Sequence, residues 1–303
     1  MNETATNKQT VKQTRVIGNI PPTLLVILSG TSTQAGASIA KQLFPYIGTE
    51  SAVFLRIGFA ALLLNSIWRP KWRNVGASAW FSVVALGIAL AAMNSTFYVA
   101  LNRIPLGVTV TIEFSGPLLV AIIGSRRWTD VIWTIMAAGG ILLFAPWTGS
   151  SLDVIGILFA LLAGVFWAMY IIFSSRVGRA FPEGSGLAAS MAVAAILTAP
   201  AGIYLGGAKL LNPYILLLGV GVALFSSALP YTLEIEALRR LPTQAFGILM
   251  SLEPAIAAIV GFLLLKETLS LKDIAAIALV SLASAGTSLL RSRSSLTADT
   301  ATV

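Results

Sequence analysis

Two carboxylates stand inside long apolar stretches of this sequence. Glu113 follows Val108-Thr109-Val110-Thr111-Ile112, and Glu253 follows Ile248-Leu249-Met250-Ser251-Leu252 and precedes Pro254. A charge held in hydrocarbon is costly, so such a group either marks a proton, ion or substrate path or is tied to a partner. Either glutamate could carry a proton or hold the ammonium of a solute. The plainer alternative is a hydrogen bond to a neighbouring helix. Asn94, Tyr98, Gln34 and Arg56 also fall within apolar runs, as do the aromatic residues Trp167, Tyr170 and Tyr231. Gln34 and the aromatics suit the walls of a pocket, although aromatics in helices more often pack. Arg56 could snorkel to a membrane interface or pair with a substrate carboxylate. Glu234 and Glu236 lie within two turns of Arg239 and Arg240 and read as a salt-bridged helix end.

The chain has no histidine and no cysteine. Imidazole acid–base chemistry, thiol nucleophiles, disulfides and Cys/His metal sites are therefore excluded. No phosphate-binding loop or nucleotide motif is present, and no metal or cofactor is expected. A membrane-embedded enzyme would have to rely on carboxylates alone.

The elements that position these residues follow from composition. Of 303 residues, 56% are hydrophobic and only 11% charged, with a mean hydropathy of +0.86. A soluble domain carries about 25% charged residues. Apolar runs near 20 residues recur, the length that crosses about 30 Å of hydrocarbon. Ten spans are expected, at 21–41, 50–68, 79–102, 105–125, 130–147, 153–175, 185–205, 213–238, 242–265 and 272–290. Prolines at 70, 105, 182, 213 and 242 mark the breaks, since proline suits the first turn of a helix and disfavours helix in the residue before it. On this frame Glu113 lies about 12 Å from one end of the fourth span. Asn94 lies at nearly the same depth in the third, so Asn94, Thr96, Tyr98 and Glu113 are expected around one wet cavity.

The formal charge of +8 does not point to nucleic acid, because Lys and Arg occur in ones to threes between the apolar runs. With the N-terminus placed in the cytoplasm, only Lys41, Arg103, Lys209, Lys266 and Lys272 of the 20 Lys and Arg residues fall outside. The positive-inside rule then puts both termini in the cytoplasm. Residues 1–18 form a polar leading tail, and the Ser/Thr-rich stretch 291–303 is expected to be an unstructured cytoplasmic tail.

The chain also reads as two related halves, 19–148 and 149–290. Ala100-Leu101-Asn102-Arg103-Ile104-Pro105 matches Ala237-Leu238-Arg239-Arg240-Leu241-Pro242 at an offset of 137, and Pro117 falls on Pro254 at the same offset. Five spans per half is odd, so the second copy must be inverted. The expected fold is an all-α integral membrane protein with ten transmembrane helices as two inverted five-helix repeats, an architecture of secondary transporters.

Several stretches carry a family resemblance: Gly36-Ala37-Ser38-Ile39-Ala40-Lys41, Pro105-Leu106-Gly107, Glu113-Phe114-Ser115-Gly116-Pro117, Ser227-Ala228-Leu229-Pro230-Tyr231 and Phe246 through Ala255. In these the chain resembles the EamA branch of the drug/metabolite transporter superfamily. The resemblance implies export of small neutral amino acids, with L-threonine and L-homoserine as expected cargo. It also implies coupling to protons by alternating access in a bacterial inner membrane. A carrier of drugs or other cations on the same fold is the alternative.

Overall fold

The computed structural model describes residues 20–68, 76–123, 128–144, 152–181, 184–238, 240–241, 246 and 249–300. Among them every regular element is helical. Helix α1 (Pro22–Ile67) starts on a proline, which loses nothing by lacking an N–H in the first turn. At 46 residues it is long enough for two crossings. It is bent once, at Gly48, whose φ of 77° and ψ of 170° suit a residue without a β-carbon. The expected loop 42–49 is therefore almost entirely helix, and one glycine reverses the chain. Pro45 is accommodated within the first arm.

Helix α2 (Ala77–Leu101) packs along α6 (Val154–Ala180) and α7 (Ser185–Gly206). These agree with the expected third, sixth and seventh spans to within a few residues at each end. The side chain of Asp153 caps α6 by accepting from the Ile155 N–H. The expected fourth span is divided at Phe114 into α3 (Leu106–Glu113) and α4 (Ser115–Ile123). Pro117 supplies the reason, because it cannot donate to the Glu113 carbonyl four residues back. Glycine lets α4 and α6 touch: a β-carbon on Gly116 would overlap the Gly164 carbonyl. Helix α5 (Trp128–Leu142) packs against the last helix.

A 3₁₀ turn (Gly207–Leu211) leads to α8 (Pro213–Ala223), whose first turn is capped by Asn212. The expected eighth span continues through a π turn (Leu224–Ala228) into α9 (Leu229–Leu238). In π register Pro230 would have bonded the Phe225 carbonyl, and it has no N–H to do so. The Ser32 hydroxyl donates to that carbonyl instead, at 2.7 Å. Helix α10 (Glu253–Leu265) begins after a turn at Ser251–Leu252, just ahead of Pro254. Helix α11 (Leu271–Thr300) runs on well beyond the expected end at 290. The tail is thus helical through Thr300, in keeping with the absence of proline and glycine after Gly286.

Among the described residues, four helical runs are long and apolar enough to cross a membrane: Pro22–Ile67, Ala77–Leu101, Val154–Ala180 and Ser185–Leu211. Leu106–Val120, Pro213–Ala228 and Glu253–Leu265 are shorter and equally apolar. Leu62, Ile132, Ile196, Leu217 and Phe262 are all more than half exposed on the outside of the bundle. That surface suits lipid, while alanine, glycine and hydroxyl side chains pack helix against helix inside. Ser38, Thr111 and Ser190 satisfy themselves by donating to carbonyls one turn back. The chain is an all-α, multi-pass membrane protein.

Candidate functional site

A cavity of about 230 Å³ lies where α1, α2, α3, α6, α9 and the start of α10 meet. The first arm of α1 contributes Thr33, Gln34 and Ala37, and the second arm contributes Arg56. Met93, Asn94 and Phe97 come from α2, Val110 and Glu113 from α3, and Trp167 and Tyr170 from α6. Ser226, Pro230, Glu234, Met250 and Glu253 complete the wall. Two larger hollows are apolar. One of about 890 Å³, between the second arm of α1, α7 and α8, has Asn65 as its polar group, and the Asn65 amide is engaged by the Ala61 and Ala188 carbonyls. The other, about 600 Å³, lies between α10 and α11 and takes in Glu267, Thr268 and Ser281. Glu267, engaged by Lys41, is the single charged residue lining either hollow.

Glu113 and Glu253 are 8% and 7% exposed and face the same space. Each is placed by a helix break: Glu113 ends α3 where Pro117 interrupts the ladder, and Glu253 opens α10 next to Pro254. Glu253 also rests against Gly30 of α1 and lies within electrostatic reach of Glu113 and Glu234. Arg56 lies within reach of Glu113. Its guanidinium sits 5.5 Å from the centre of the Tyr98 ring and donates to the Tyr98 hydroxyl at 3.4 Å. Arg56 thus turns into the bundle instead of snorkelling outward.

Gln34, Asn94, Trp167 and Tyr170 also line the cavity. Asn94 spends one amide N–H on the Leu90 carbonyl at 2.8 Å. Trp167 is held edge-on by Phe114, with ring centres 5.0 Å apart. Tyr98 is placed differently. It is fully buried one turn beyond Asn94, packed at a tilt against Phe44, and meets the cavity-lining Arg56 through its hydroxyl. Thr96 donates to the Ala92 carbonyl and does not line the space. The side chain of Tyr231 lies outside the described residues.

Glu234 is the main residue that sequence reasoning misplaced. Glu236 does pair with Arg240, but Glu234 accepts a hydrogen bond from Ser29 at 2.7 Å and faces the cavity. The signal was there to read: residues two apart on a helix point about 200° apart, so both glutamates could not serve one salt bridge. Glu234 shares a helix face with Pro230, one turn back. Ser226 was also overlooked, since a serine gives no sequence signal until the π turn rotates it inward.

At the Lys41 end of the bundle Phe44, Tyr98, Leu101 and Leu106 form a buried apolar layer. Beyond that layer Lys41 Nζ meets Glu267 Oε1 at 2.6 Å, and Glu267 Oε2 accepts the Leu106 N–H at 2.8 Å. Arg103 pairs with Asp153 at 2.8 Å. That hydrogen bond, together with the Ile155 N–H, holds the Asp153 carboxyl below the usual range. Chemically the site offers three carboxylates, one guanidinium and several neutral polar groups around one cavity. No catalytic constellation beyond the carboxylates is present among these residues.

Comparison with known proteins agrees with a transporter. Residues 154–289 match the EamA-like transporter family. Threonine/homoserine exporter RhtA of Salmonella typhimurium is 40% identical over 88% of this chain and 91% of its own length. RhtA of Escherichia coli K12 is 37% identical over the same shares. An uncharacterized transporter of Bacillus subtilis, YwfM, is 27% identical over 75% of this chain and 79% of its own. A solved crystal structure, 21% identical, shares the fold with a TM-score of 0.58 over 90% of this chain and 96% of that one. The chain belongs to the EamA-like transporter family, alongside the RhtA exporters.

Proposed function

We propose that this protein is a proton-driven exporter of small amino acids, L-threonine and L-homoserine among them. The observation that carries the reading is the cavity in which Glu113, Glu234 and Glu253 face Arg56. A zwitterion fits that charge pattern: its ammonium goes to the carboxylates and its carboxylate to the guanidinium. With every group ionised the cavity holds a net charge of about −2, which low dielectric disfavours. Protons and ammonium groups relieve it, and their competition for the same carboxylates couples the two fluxes. The cavity lies below the roughly 300–1,000 Å³ of drug-sized sites, which favours an amino acid over a bulky drug. The names of the RhtA relatives point to the same substrates.

Alternating access would follow from two inverted five-helix repeats, 19–148 and 149–290, making ten spans. Several observations support this arrangement. The helix break at Phe114 precedes Pro117 by three residues, and the break at Ser251 precedes Pro254 by three, at the offset of 137. The family match at 154–289 covers one such half. The placement of Lys and Arg favours cytoplasmic termini, the polar segments 1–18 and 291–303 lying on that side, and the likeness to bacterial exporters favours an inner membrane. The end that carries Lys41 and Glu267 would then face outward.

The excess of carboxylates also favours a second reading, a carrier of monovalent cations. Purified protein in liposomes separates the two: threonine flux resisted by excess quaternary ammonium dye supports the amino-acid reading, and dye flux without threonine flux supports the other.

A further inference from the structure

Among the described residues that line the cavity, Arg56 is the single cation. It lies eight residues past the bend at Gly48, about 12 Å along the second arm of α1. From such a depth a long cationic side chain can snorkel toward water. The guanidinium instead stays in the bundle, although among the described residues no carboxylate forms an ion pair with it. What it touches is Tyr98. Its central carbon lies 5.5 Å from the ring centre, and one N–H donates to the hydroxyl at 3.4 Å.

Tyr98 is itself firmly placed. It is fully buried on α2, with Phe44 of the first arm of α1 at 5.3 Å and Phe97 at 6.1 Å between ring centres. A ring packed in this way keeps one orientation, so it offers the guanidinium a rigid surface. Tyrosine is also neutral. A glutamate in its place would hold Arg56 but would neutralise it, and an incoming carboxylate would have to displace that pair. A ring attracts a cation through its quadrupole and leaves the charge unspent. Of the five N–H donors of a guanidinium, the bond to Tyr98 occupies one. The rest of the fork suits the bidentate pairing that carboxylates favour.

We infer that Tyr98 is a positioning residue that holds the Arg56 guanidinium, with its charge uncompensated, ready for the carboxylate of the transported amino acid. This deepens the function proposed above and rests on it. Arg56 touches the substrate and Tyr98 acts through Arg56. Without the ring, the guanidinium relaxes toward water or toward Glu113, which lies within its electrostatic reach. The carboxylate end of the substrate then goes unread, while the ammonium end, held by glutamates, is bound as before.

The test is isothermal titration of the purified protein with L-threonine and with L-threoninamide, which keeps the ammonium group and the side chain but has no carboxylate. The quantity read is the ratio of the two dissociation constants. Arg56→Gln should shift that ratio against threonine by about tenfold or more, as loss of a charge-assisted bond does. Tyr98→Leu should shift it the same way by about fivefold. Tyr98→Phe, which loses the hydroxyl alone, should shift it by roughly twofold to threefold. Affinity for threoninamide should hold in both Tyr98 variants, and in an Arg56→Gln background neither should move the ratio further. Tyr98→Phe keeps the buried ring and so decides the matter should Tyr98→Leu fail to fold. A folded Tyr98 variant with the wild-type ratio overturns the inference. So does an effect that falls equally on threoninamide or persists without Arg56; in each case the shift caused by Arg56→Gln leaves the proposed function standing. If Arg56→Gln itself leaves the ratio unchanged, Arg56 does not bind the carboxylate and the inference falls with that assignment. A folded wild type that binds neither compound overturns the proposed function.

Discussion

Replacing Glu267 with glutamine should loosen the Lys41 end of the bundle. Glu267 accepts from Lys41 Nζ with one carboxylate oxygen and from the Leu106 N–H with the other, joining α1, α3 and the segment between α10 and α11. The two charged side chains are 25% and 13% exposed. A fully buried pair that loses one partner costs about 3–5 kcal/mol, and an exposed one about 0–1 kcal/mol. The intermediate exposure points to ~2 kcal/mol, roughly 30-fold in an equilibrium. On the alternating-access reading proposed above the pair breaks when this end opens, so its loss shifts the population toward the open form by that factor. The chain has no native cysteine, so Thr33→Cys in the cavity wall supplies a single reporter. A membrane-impermeant maleimide added from the Lys41 side should label it at least about tenfold faster when Glu267→Gln is also present. Labelling at the parent rate would refute the latch.

Other perturbations follow from the same geometry. Glu113→Gln should leave folding intact, as judged by a monodisperse purified protein, but abolish the response of threonine export to a pH gradient; gradient-driven export at the wild-type rate would remove the role given to Glu113. Gly36→Ala must push the π turn away from α1 and should cost about 1–3 kcal/mol, read as a lower melting temperature together with weaker transport. Gly139→Ala, where a β-carbon meets nothing within 4 Å, is its silent control. Asp153, held below the usual carboxylate range first by Arg103 and then by the Ile155 N–H, stabilises the fold above that range. Its contribution is lost as pH falls through the lowered value. Asp153→Asn should therefore lower thermal stability slightly at neutral pH and show no difference from wild type in strong acid.

Much of this arrangement is legible in the sequence because membrane helices obey simple rules. Apolar length located α2, α6 and α7, and depth alone grouped Asn94 with Glu113. Gln34, Arg56, Trp167, Tyr170 and Glu253 meet them in one cavity because polar groups in a lipid-facing bundle have nowhere else to go. The failures have physical causes as well. The reversal at Gly48 was hidden because a single positive φ replaces a loop, while the run around it stays apolar and helical. Tyr98 was assigned by depth to the cavity but packs behind Arg56, since depth says nothing of helix rotation. Glu234 was lost to a charge pattern that ignored which face each residue takes. The place of Ser226 in the cavity wall depends on a π turn, and no periodicity of the sequence reports the extra residue that such a turn inserts. The helical stretch after 290 was masked by composition, because Ser and Thr suggest disorder even where nothing breaks a helix.

The measurement that bears most directly on the central claim is L-threonine flux in proteoliposomes, with and without an imposed pH gradient. Saturable flux that rises with the gradient, and loses that rise in Glu113→Gln, is the predicted result. A folded preparation whose threonine flux is absent, or indifferent to the gradient, would contradict it.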